Sequence, residues 1–165
     1  MSIDSILSAP RWDGELRVPP DELALAGGLC LDRILELRPG AGAVALANVP
    51  STLTVFDTHF QRFPVLPGVL LLHGISNLSD SLLAATTGGR WQLGSARRVQ
   101  FRHYVRPGDQ LRLAVDLRTH DRSHAVLSGR ITVGDTVVVL ARELAMVTDS
   151  QPPHDPSPQP AKELP

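Results

Sequence analysis

The sequence has a single cysteine, Cys30. One thiol closes no internal disulfide and supplies no thiolate cluster for zinc, which points to a reducing, cytoplasmic setting. Charge of one sign is lacking too: 16 basic and 17 acidic side chains leave a formal net charge of −1. No overall field therefore recruits nucleic acid or an anionic membrane, and a charged partner has to be met by a local patch. A long unbroken hydrophobic run is also missing. The longest, residues 65–72, is interrupted by Pro67 and Gly68 and is too short to span a bilayer. The opening MSIDSILSAPRWDGE has no basic region followed by an apolar stretch, so no secretory signal is expected. A Gly-rich phosphate loop, a Ser nucleophile elbow and a CxxC pair are likewise absent.

What is present is a chain of 165 residues, 42% hydrophobic and 20% charged, enough for one domain that buries about two-thirds of its unfolded surface. Residues 1–28 read as an N-terminal extension. Residues 149–165 hold six prolines and almost no apolar side chains, so they are expected to be a flexible tail. Between residues 29 and 49, the runs LCLDRILEL and AVALANV flank a Pro39-Gly40 turn, which predicts a hairpin. From 67 to about 85, Val69, Leu70, Leu72, Ile75, Leu78, Leu82 and Leu83 recur near the helical period and cover most of the circumference, predicting a helix that something wraps. Four further runs, roughly 93–105, 110–119, 125–133 and 136–147, are separated by turn residues. Leu111, Leu113, Val115 and Leu117 alternate with Arg112, Asp116 and Arg118, the pattern of a strand with one buried face. Hairpin, helix and meander together make an α+β domain with one antiparallel sheet curling around the helix over residues 29–148.

Three blocks then stand out: LDRILELRPGAGAVALANV, FDTHFQRFPVLPGVLLLHGISN and RRVQFRHYVRPGDQLRLAVDL. With their His-Phe-x-x-x-Pro-Val-x-Pro-Gly loop, apolar helix and later Pro-Gly-Asp turn, they resemble the β-hydroxyacyl-acyl carrier protein dehydratases, small proteins of the hotdog fold. The resemblance implies dehydration of a (3R)-3-hydroxyacyl thioester on acyl carrier protein to the trans-2-enoyl product, in fatty acid, polyketide or polyene assembly, without a cofactor or metal. It implies that His59 moves the proton at C2 and that the Gly68 N–H, at the helix N-terminus, polarises the thioester carbonyl. Pro67, Val69, Phe63 and Asn77 would lie against the substrate. It also implies a dimer, homomeric or with a second hotdog subunit, whose sites form between chains.

The resemblance breaks at one position. Fourteen residues after the loop histidine the family carries a Glu or Asp that protonates the departing hydroxyl, and here that residue is His73. Three readings stand. His73 acts as the acid, although burial would lower its pKa; it is a structural residue in a subunit completed by a homologue carrying the carboxyl; or the chain binds or hydrolyses an acyl thioester without dehydrating it. Asp57 and Asp80 are weighed as replacement acids, the first reading better as a turn residue and the second lying two helical turns from His73. Arg98, Arg102 and Arg106 alternate onto one face of the expected strand RRVQFRHYVR, where they would suit an acidic helix or the phosphopantetheine phosphate of a carrier protein. His120 and His124 flank a turn at i, i+4, a zinc spacing only on a helix.

Overall fold

The computed structural model describes residues 15–16, 29–58 and 62–148. The rest of the expected N-terminal extension, His59 with residues 60–61, and the expected tail lie outside the described residues. In chain order the elements are β1 Glu15–Leu16, β2 Arg33–Arg38, β3 Gly42–Asn48, α1 Val55–Thr58, α2 Gly68–Thr87, β4 Trp91–Phe101, β5 Gln110–His120, β6 His124–Val133 and β7 Thr136–Thr148. The strands form one sheet in the order β1-β4-β7-β6-β5-β3-β2, and every neighbouring pair is antiparallel.

Alternation in the sequence becomes the two faces of this sheet. Leu111, Leu113 and Val115 of β5 are at most 1% exposed, whereas Arg112 and Asp116 face water. Across from them stand Ala47, Ala45 and Ala43 of β3, all buried. These small inward residues leave room for the helix, and the helix fills it: Leu70, Leu71, Leu72, Ile75, Leu78, Leu82 and Leu83 of α2 are all buried. By length and composition α2 could cross a membrane, but here the sheet supplies its apolar surroundings. The contact is close at Gly129 of β6, where a Cβ would lie 2.8 Å from Ile75 Cγ2. The curved antiparallel sheet around one long helix is the α+β hotdog arrangement expected above.

Polar ties fix the helix ends. The Thr86 hydroxyl accepts from Gly40 N at 2.9 Å, pinning the β2–β3 turn onto the last turn of α2. Asp80 Oδ1 accepts from Trp91 N at 2.7 Å and its Oδ2 lies 3.5 Å from Arg90 Nε, which locks α2 to the start of β4. Trp91 and Met146 are core residues. Strand β2 is exposed along its whole length and forms one edge of the sheet.

One sequence expectation is corrected. The strand expected over 93–105 runs from Trp91 to Phe101, so Arg102 and Arg106 lie beyond its end. Arg98 itself adopts a left-handed backbone, φ 51°. The three arginines therefore do not form a row on one strand face.

Candidate active site

The corner before α2 is built by local chemistry. Pro67 caps the helix in an extended conformation, φ −58° and ψ 141°, without a side-chain hydrogen bond, and its carbonyl accepts from Leu70 N at 3.0 Å. The first amides of a helix have no intrahelical acceptor, so the start of α2 presents N–H groups and the positive end of its dipole. No acidic residue occupies the first turn to neutralise it. The corner is anchored by Leu66 N, which donates to Val105 O at 2.8 Å.

Beside this helix start lies a cavity of about 380 Å³, lined by the 65–68 segment, Leu71, Phe101 and the His103-Tyr104-Val105 segment. Gly68 forms part of its wall. A Cβ at Gly68 would sit 2.7 and 2.8 Å from two atoms of the Phe101 ring, so it is this ring that requires glycine here.

Phe63, 50% exposed, stands next to Tyr104 of the cavity wall. Its ring meets Tyr104 edge-on, with centroids 6.1 Å apart, and the Arg106 guanidinium lies 5.0 Å from its centroid. Arg106 sits in the Pro-Gly-Asp turn, where its N–H donates to Asp109 Oδ2 at 2.8 Å. Arg102 instead donates to Gln100 Oε1 at 2.9 Å, and Arg98 bonds Glu143 Oε2 at 3.1 Å. His103 and Tyr104 fall inside the expected 93–105 strand, so the sequence pattern gives them no role in a site. The run Arg102-His103-Tyr104 ahead of the turn interrupts the apolar alternation, which was the available signal.

His73 lies one and a half turns into α2 and is half-buried. Its Nδ1 is buried without a hydrogen-bond partner, and burial pushes the imidazole pKa down from 6.5. It is not among the residues lining the Gly68 cavity. Asn77, one turn further on, donates from Nδ2 to Leu29 O at 3.4 Å and so holds the 29–32 segment to the helix. Asp80 is committed to Trp91 and Arg90 as described above. Asp57 is an exposed residue of α1 whose N–H donates to Thr54 O at 3.1 Å. His124 opens β6 after the turn, its Nδ1 2.9 Å from Ser123 Oγ, where backbone N–H groups of Ser123 and His124 hold the Asp121 carboxyl below its usual pKa.

Residues 26–142 match the sequence profile of the FabA-like domain family. Among curated proteins, the 3-hydroxyacyl-(acyl-carrier-protein) dehydratase FabZ of Campylobacter concisus is 32% identical over 130 residues, covering 73% of this chain and 88% of that protein. The enzyme of the same name from Nitratiruptor is 31% identical with the same coverage of both chains. In solved structures, the dehydratase heterocomplex ApeI:P from Xenorhabdus doucetiae contains a chain that superposes with a TM-score of 0.58 at 21% identity, covering 72% of this chain and 97% of that one.

Proposed function

The chain belongs to the FabA-like domain family, and from that premise we propose that it is a dehydratase, converting (3R)-3-hydroxyacyl thioesters of acyl carrier protein to trans-2-enoyl thioesters. The observation that carries this reading is the cavity at the N-terminus of α2, apolar along Leu66, Leu71 and Phe101 and adjoining the uncapped helix start at Gly68. The thioester carbonyl accepts from the first helix amides, which stabilises the enolate-like charge that grows as C2 loses its proton. His59 takes that proton, the role of an imidazole in general base catalysis. The C3–O bond then breaks, and the hydroxyl leaves as water with the proton that His59 took from C2, which returns the imidazole to its neutral form. Carbon oxidation balances between C2 and C3, so no redox cofactor enters.

Phe63 and Tyr104 form the lip over which the pantetheine arm passes, and Arg106 is placed to meet its phosphate or the acidic surface of the carrier. Pro67 and Val69 frame the carbonyl site, while Asn77 acts through Leu29. Arg98 and Arg102 do not share this mouth, so the carrier contact rests on Arg106. The protein works in the cytoplasm as a dimer joined through sheet edges, and Ile34, Leu35 and Leu37, each about 40% exposed on edge strand β2, supply apolar surface for assembly.

His73 sets the reading apart from a standard family member. A buried lone pair without a partner costs less than a buried N–H without one, so the neutral ring carries its proton on Nε2. In the dimer, whose sites form between chains, that nitrogen donates a hydrogen bond to the 3-hydroxyl of a substrate held across the interface, since His73 does not line the cavity beside its own Gly68. A second reading is favoured by the same lowered pKa: a ring neutral at physiological pH is a weak acid, as expected of a supporting subunit completed by a homologue with a carboxyl on its helix, and the Xenorhabdus structure is itself named a dehydratase heterocomplex.

The test is intact-mass analysis of a 3-hydroxyacyl carrier protein incubated with the purified chain. Loss of one water with wild type, abolished in His59→Ala and slowed by about 100-fold or more in His73→Ala, is the expected result. Water loss only after a carboxyl-bearing homologue is added selects the supporting subunit. No loss under either condition overturns the dehydratase reading.

A further inference from the structure

The sheet face turned away from α2 carries a second cavity, of about 460 Å³. Its floor is low because Ala114 and Ser128 are small, and its rim is made of four arginines from four adjacent strands: Arg98 of β4, Arg118 of β5, Arg130 of β6 and Arg142 of β7. Asp116 is the one carboxylate in the lining.

Three of the four arginines sit where the regular ladder is broken. Arg98 has the left-handed φ of 51°. Arg118 is the extra residue of a register shift, since Leu117 pairs with Leu127 and Thr119 with Val126. Arg142 shares a bulge with Glu143, because Leu127 pairs with Leu144 and Gly129 with Ala141, leaving Ser128 opposite two residues. Bulges re-aim side chains, and here the irregularities direct several guanidinium groups at one concavity. Two are already held: Arg98 by Glu143 at 3.1 Å, and Arg118 by Ser128 Oγ at 3.1 and 3.2 Å. Arg130 and Arg142 form no ion pair among the described residues.

We propose that this cavity binds a phosphate-bearing anion of small-molecule size, its oxygens taken by Arg130 and Arg142 with Arg98 and Arg118 completing the ring. Guanidinium forks converging from several sides suit a tetrahedral oxyanion, whereas an acidic peptide would ask for an elongated groove. The volume is in the range of small-ligand sites and several times that of a lone phosphate, and Asp116 is available to accept from a hydroxyl on the ligand. The site lies across the sheet from the thioester cavity and does not depend on the chemistry assigned there.

Calorimetric titration of the full chain with inorganic diphosphate and with adenosine diphosphate, at fixed ionic strength, tests this. Arg130→Ala/Arg142→Ala removes two exposed side chains and should melt like wild type. A second double variant, Arg33→Ala/Arg38→Ala on β2, removes the same charge elsewhere. At least tenfold weaker binding in the first variant and unchanged binding in the second is the expected result. Tighter binding of adenosine diphosphate than of diphosphate identifies an organic phosphate, and equal affinity identifies the inorganic anion. Failure of wild type to bind either probe, or equal loss in both double variants, overturns the proposal.

Discussion

His73 is the residue on which the chemistry turns. Its carboxyl counterpart in the family would be charged at neutral pH unless burial opposed it, whereas burial of an imidazole favours the neutral form, and so the same location produces a different protonation state. The sign of the resulting pH dependence follows from linkage. In the unfolded chain the ring titrates at 6.5, and in the folded chain it titrates lower. Between those two values the unfolded state binds more protons, so stability falls as pH drops through this window and is flat with respect to His73 above it. His73→Gln is expected to reduce the loss of denaturation midpoint between pH 7.5 and pH 5.5 relative to wild type, measured by urea unfolding at each pH. An identical loss in both proteins would mean that the folded ring titrates as an exposed one does.

At the level of elements, the helix and the meander were legible because each is a repeating pattern: the leucines of α2 recur at helical spacing, and the side chains of β5 alternate. The end of β4 was not. Phe101 closes that strand because its ring turns in against Gly68, a contact between residues 33 positions apart that no local pattern encodes. The register breaks at Arg118 and Arg142 were equally hidden, since a bulge is defined by the partner strand. The helix start and the Pro67-Gly68 corner were read correctly in position, while the reason for the glycine had to come from Phe101. Gly68→Ala is therefore expected to cost roughly 1–3 kcal/mol by overpacking, seen as a lower denaturant midpoint with unchanged slope. Adding Phe101→Ala should make the Gly68→Ala step nearly neutral in a double-mutant cycle. A full penalty without the ring would place the constraint in the backbone instead.

For the whole molecule, the sheet separates two surfaces for which different tasks are proposed. The N-terminal end of α2 and the segment after β4 line a mostly apolar cavity, and the outer surface gathers arginines over a floor of small residues. The central claim concerns the first: His59 and the helix start move the C2 proton of a thioester. The most direct test is deuterium incorporation at C2 of a 3-hydroxyacyl carrier protein incubated in heavy water with the purified chain alone. Incorporation by wild type, its loss in His59→Ala, and its partial survival in His73→Ala are predicted, because C2 exchange needs the base and the carbonyl site but not departure of the hydroxyl. Absence of exchange with wild type, or undiminished exchange in His59→Ala, would contradict the assignment of that proton to His59.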